Sequence, residues 1–159
     1  MEYENLERDF VTRTLKIICQ YEQYKKNIPP TEQFEVTLLI NCLVGLLILP
    51  RELCYNNIPD TPIDQLKDWG LCANHIIKPG RNKRNPGKNE DGPELKKTLK
   101  DVVRSMRNSV AHFRLKVCGN GSEITCLEFS DKSGFKSVIP VECLKIFVTK
   151  LAQSVCKNE

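Results

Sequence analysis

The sequence predicts a mainly α-helical bundle of about four helices, with a small antiparallel β-hairpin or meander before the last one. Three observations carry this expectation. Apolar residues recur at steps of three and four in three separate segments, one further segment is apolar on nearly every side, and strict alternation appears only between His112 and Pro140.

The first helix follows from Leu6, Phe10, Thr14, Ile17 and Tyr21 within residues 5–26. Pro29 and Pro30 break it, and Thr31 is placed to cap a second helix from Glu32 to Leu49. Residues 36–49 of that helix are apolar almost all round, which suits the middle of a bundle, and Gly45 within it permits a neighbour to approach closely. Pro50 ends it. A long connection follows, with a short helical segment around Ile63–Trp69. Residues 78–93 then read KPGRNKRNPGKNEDGP, three Pro and three Gly with almost nothing apolar, and are expected to form a mobile basic loop.

Order returns at Glu94, where Leu95, Leu99, Val102, Val103, Met106 and Val110 take helical steps beneath a basic outer face. Residues 113–139 form the hairpin region. Phe113, Leu115 and Val117 alternate with polar residues, Gly119-Asn-Gly-Ser turns the chain, and strands are expected at Glu123–Ser130 and Phe135–Ile139. Pro140 suits the first position of a last helix, traced by Leu144, Phe147, Val148, Leu151 and Val155.

The 159 residues, 40% hydrophobic and 28% charged, fit a single domain over residues 1–159. Residues 78–116 hold twelve Lys or Arg against four acids, a local net of +8, which leaves −4 on the rest of a chain of net charge +4. Positive charge gathered in one quarter of the length faces an anion there or forms a solvated basic face. The acidic start, Met1-Glu-Tyr-Glu-Asn, has no secretory character, and the apolar stretch Phe34–Leu49 falls short of a bilayer span, so a cytoplasmic protein without a membrane partner is expected. The eight cysteines contain no C-x-x-C pair and are expected as reduced thiols. Cys72 and His75 alone are too few for structural zinc, so no metal is expected. Gly-rich phosphate loops, G-x-S-x-G and H-E-x-x-H are absent from the sequence.

What remains is Arg107-Asn108-Ser109-Val110-Ala111-His112, at the end of the basic helix, with one of only two histidines in the chain. Together with the apolar segment LLINCLVGLLILPRE at 38–52 and the hairpin after RNSVAHF, it resembles the HEPN family (higher eukaryotes and prokaryotes nucleotide-binding domain), over roughly residues 6–155. The resemblance implies an up-and-down HEPN-like bundle, a composite site between two copies of the chain, and a toxin or phage-defence setting in which an antitoxin or regulatory protein is a further partner.

The residues make chemical sense on RNA without a metal or other cofactor. The neutral imidazole of His112 can take the proton of a ribose 2′-hydroxyl as it attacks the adjacent phosphate, while the planar guanidinium of Arg107 offsets the charge that gathers on the phosphorane. Asn108 can orient His112 or the phosphate. Lys100, Arg104 and Arg114 are candidates for RNA backbone contacts. The expectation is a metal-independent endoribonuclease; the alternative is a HEPN-like module that binds RNA, a nucleotide or a protein without cutting. A structural role competes with both, in which Arg107 pairs with Asp101 or Glu52 and His112 caps the last carbonyls of its helix.

Overall fold

The computed structural model describes residues 6–48, 53–80, 98–120 and 123–156. Glu52 and residues 81–93 of the expected basic loop lie outside the described residues. Five α-helices are described: α1 (Leu6–Lys25), α2 (Glu35–Ile48), α3 (Leu53–Asn57), α4 (Leu99–Ala111) and α5 (Val141–Cys156). Four strands accompany them: β1 (Ile76–Pro79), β2 (Leu115–Asn120), β3 (Glu123–Ser130) and β4 (Phe135–Pro140). They form one antiparallel sheet in the order β1-β4-β3-β2.

This overturns the expected four-helix bundle with a small hairpin. The molecule is helix-rich, but a four-stranded sheet is a layer of its fold. The extra strand comes from Ile76–Pro79, within what reads in sequence as connection and basic loop. It pairs with β4, Ile76 opposite Ser137 and Pro79 opposite Phe135. Two adjacent isoleucines are too short a run to show a period, so the strand is defined by its partner rather than by its own pattern. A 310 segment at Ile63–Trp69 coincides with the short helical expectation there.

The start of α2 also departs from expectation. Residues Pro30–Glu32 form a separate 310 turn, and Gln33 is extended (φ −89°, ψ 111°), so Thr31 caps nothing and the helix begins at Glu35. Leu39, Leu43 and Leu46 of α2 then bury completely or nearly so. Gly45 meets the Phe10 ring of α1, the close approach that a residue without a Cβ allows. Pro30–Ile48 is long and apolar enough to cross a membrane by composition, yet α2 is packed among α1, α4 and α5, as the central helix of a globular core would be.

The sheet buries one face against the helices. Leu127 and Phe129 of β3, with Phe135, Ser137 and Ile139 of β4, point inward at every second position and meet α4 and α5. α4 is two-sided: Leu99, Val102, Val103, Met106, Ser109 and Val110 are buried, while Lys100, Arg104, Arg107 and Asn108 are half-buried. At the other end of the core Lys145 of α5 gathers Glu35 (α2), Glu22 (α1, 3.6 Å) and Glu142 (2.9 Å), while Lys25 bonds Glu35 at 2.9 Å. Burial works against the charge on Glu35, but the hydrogen bonds from Lys145 and Lys25 outweigh it and hold its carboxyl below the ordinary range.

Candidate functional site

α4 starts where Thr98 turns the chain. The Asp101 carboxylate accepts the Thr98 backbone N–H at 3.2 Å, and the Thr98 carbonyl accepts the Asp101 N–H at 3.0 Å, which satisfies groups a helix start leaves bare. T-L-K-D at 98–101 is a legible capping signal for a start later than Glu94; residues 94–97 lie outside the described residues.

The other end closes without side-chain help. The N–H groups of His112, Phe113 and Arg114 donate to the carbonyls of Asn108 (3.2 Å), Val110 (3.0 Å) and Ser109 (2.7 Å). His112 is the capping residue and Phe113 takes a left-handed conformation with φ 49°. Because the backbone satisfies these carbonyls, the His112 imidazole is not needed as a cap. It is exposed, and among the described residues it makes no hydrogen bond or ion pair.

Between these ends α4 spreads the candidate residues over an arc of its surface. Lys100, Arg104 and Arg107 follow steps of four and three along one side. They run beside Tyr55 of α3, a residue that sequence reasoning did not single out. The Tyr55 hydroxyl donates to the Lys100 carbonyl at 3.2 Å, and the Arg104 guanidinium sits 5.3 Å from the centre of its ring. Burial pushes the Tyr55 phenol up, against an opposing pull from Arg104 and Arg107. Arg104 also reaches Asp101 at 3.7 Å, so the acid expected to pair with Arg107 pairs with Arg104 instead.

Asn108 and His112, four apart, continue the row of Lys100 and Arg104, each step of four turning about 40° further from Arg107. Asn108 lies near Asp131, in the turn between β3 and β4, and its side chain helps to lower the pKa of that carboxyl. The Asp131 carboxylate also accepts the N–H groups of Ser133 (2.7 Å) and Phe135 (3.2 Å). Burial raises its pKa, but these hydrogen bonds prevail and hold it below the usual carboxylate range. Asp131 lies 23 positions from Asn108, and only its place in an Asp-Lys-Ser-Gly turn marks it in sequence. Arg114 is tied to the same corner, its carbonyl accepting the Ser130 N–H at 3.2 Å.

Within one chain, therefore, α4 brings Arg107 to Lys100, Arg104 and Tyr55, and Asn108 to Asp131, but does not converge Arg107 on His112. Five residues along a helix turn the side chain by about 140°. Metal chemistry finds no cluster here: among the described residues no group of three His, Cys, Asp or Glu is arranged to hold an ion. The second histidine, His75, accepts the Cys72 backbone N–H on Nδ1 at 3.3 Å and serves its own 310 turn.

A helix-rich α/β domain carrying an Arg-Asn-x-x-x-His segment at the end of a basic helix defines the class. The sequence matches the family model described as HEPN pEK499 p136 over residues 1–159, and the chain belongs to this HEPN family. No curated protein and no solved structure matches it.

Proposed function

We propose that this HEPN domain is a metal-independent endoribonuclease. The observation that carries the reading is His112: an exposed imidazole with no hydrogen bond or ion pair among the described residues, at a helix end whose carbonyls the backbone already satisfies. An imidazole so placed, beside a basic helix face, can move a proton.

In the proposed reaction His112 accepts the proton of a ribose 2′-hydroxyl, the oxygen attacks the neighbouring phosphorus, and the 5′-oxygen leaves with a proton returned by an imidazolium. The products carry a 2′,3′-cyclic phosphate and a 5′-hydroxyl. Because the nucleophile belongs to the RNA, no metal-bound water is required. Arg107 offsets the charge on the phosphorane, Lys100, Arg104 and Arg114 hold the backbone, and Asn108 keeps the His112 side of α4 in place through Asp131. The divergence of Arg107 and His112 on one helix is resolved in a two-fold dimer, where Arg107 of each copy works with the imidazole of the other. A cytoplasmic toxin or phage-defence effector, held off by an antitoxin or regulatory protein, is the setting this reading fits.

The same divergence favours a second reading, a HEPN module that binds RNA or a partner protein without cutting. One experiment separates them. Labelled mixed-sequence RNA is incubated in excess EDTA with the wild-type protein and with His112→Ala, and fragment ends are read for cyclic phosphate. Cleavage by the wild type alone, with RNA affinity retained in the variant, supports the nuclease. Equal behaviour of the two proteins supports the binding module.

A further inference from the structure

Phe113 is placed against two physical preferences at once. Its φ of 49° lies in the left-handed region, where Gly is the usual occupant after a helix and a side chain with a Cβ is strained. Its ring is also 80% exposed, the most exposed large apolar side chain among the described residues. The fold gains nothing from the ring in return. The bonds that end α4 are made by backbone N–H groups, which Gly would supply equally well, and the bond between the Arg114 carbonyl and Ser130 fixes the chain direction just beyond. The conformation is thus held from both sides, and it aims an aromatic ring into solvent directly beside His112.

We propose that Phe113 is a substrate-binding residue whose ring stacks on a nucleobase of single-stranded RNA next to the phosphate that His112 addresses. This rests on the ribonuclease reading above and adds the part of the substrate that the basic residues do not recognise. Bases offer a flat apolar face whatever their identity, so a single rigid ring binds them with little sequence preference, and its π face also suits the splayed bases of loops and ends. Arg114 and the exposed Lys116 follow the ring in sequence and set it among positive charges. A polyanion is attracted by the same residues.

The test measures binding apart from cleavage. The probe is a mixed-sequence single-stranded RNA with every 2′-hydroxyl methylated, which removes the nucleophile, so affinity is read whether or not the protein is a nuclease. Phe113→Leu keeps an apolar side chain and the strained backbone but removes the π face; Phe113→Gly removes both ring and strain. Both should weaken binding about tenfold or more. Phe113→Gly should at the same time raise Tm, which a merely structural ring would not allow. Phe113→Trp should restore affinity, with its fluorescence quenched on adding the probe. On cleavable RNA the Leu variant should raise KM far more than it lowers kcat. Wild-type affinity in the Leu and Gly variants would overturn the proposal, as would absence of RNA binding by the wild type. So would a shift of Phe113→Leu from dimer to monomer in sedimentation, since a second chain would then cover the ring. Loss of cleavage reading without loss of ring-dependent affinity would fault the nuclease assignment alone.

Discussion

The side chain of Asn108 on α4 lies near the carboxylate of Asp131 and helps to lower its pKa, which sets the candidate helix end against the turn between β3 and β4. It gives Asn108 a structural duty beside any it has on substrate. The two residues should therefore be energetically coupled. Asn108→Ala is expected to cost about 1 kcal/mol and Asp131→Ala about 1–3 kcal/mol, since the carboxylate also holds Ser133 and Phe135. In urea unfolding the double variant should lose less than the two costs added, by about 0.5–1 kcal/mol. Strict additivity would mean that the two side chains do not interact.

The same carboxylate predicts an acid dependence. The folded pKa of Asp131 lies below its ordinary value, so its stabilisation is complete above the unfolded pKa of about 3.9 and is lost as pH falls through the folded value. Wild type should lose stability faster than Asp131→Asn below about pH 4. Parallel stability curves for the two proteins would contradict it.

Lys145 ties three helices through Glu35, Glu22 and Glu142. Burial opposes its charge, but the bonds to Glu35 and Glu142 raise its pKa above the ordinary lysine value. That stabilisation is present below the unfolded pKa of about 10.4 and disappears as pH climbs through the folded one. Lys145→Ala leaves Glu35, which is only 15% exposed, with Lys25 as its remaining cation, and should cost about 1–3 kcal/mol at neutral pH. Adding Lys25→Ala should strand the carboxylate and cost more than Lys145→Ala alone; a double variant no worse than the single one would show that Lys25 contributes nothing to Glu35.

Gly45→Ala should destabilise although Ala is the better helix former. A Cβ at this position collides with Cε1 and Cζ of the Phe10 ring. The gain in propensity is about 1 kcal/mol, and forcing apart two packed helices costs about 1–3 kcal/mol. Thermal unfolding should show a lower Tm, restored in part by Phe10→Leu. A higher Tm for Gly45→Ala alone would mean that α1 and α2 separate freely.

Tyr55 anchors the face that carries Lys100, Arg104 and Arg107. Tyr55→Phe loses the bond to the Lys100 carbonyl and should cost about 1 kcal/mol, while Tyr55→Ala also removes the ring beside Arg104 and should cost more. RNA affinity should fall further in the Ala variant than in the Phe variant if the ring sets the Arg104 direction. Equal affinities would make the cluster a matter of stability only.

Much of the local structure was legible before any fold was seen. Residues 5–26 announce α1 as Leu6–Lys25, and alternation after His112 announces β2, β3 and β4 nearly to their ends. Thr31 misled because a capping residue type was present without the backbone to use it: Gln33 is extended. β1 escaped because four residues with two isoleucines carry no period. Tyr55 and Asp131 escaped because each meets α4 from a distant part of the chain, and nothing in their own neighbourhoods says so.

By itself the sequence determined the helix and strand periods, the concentration of positive charge on residues 78–116, and an Arg-Asn-x-x-x-His segment at a helix end. These follow from spacings of two, three and four along the chain, which backbone geometry converts directly into faces. Only the tertiary structure decided that Arg107 lies near Tyr55 and Asn108 near Asp131, that a fourth strand completes the sheet, and that Phe113 stands exposed beside His112. Those outcomes depend on which distant segments close against one another, and local periodicity does not encode that closure.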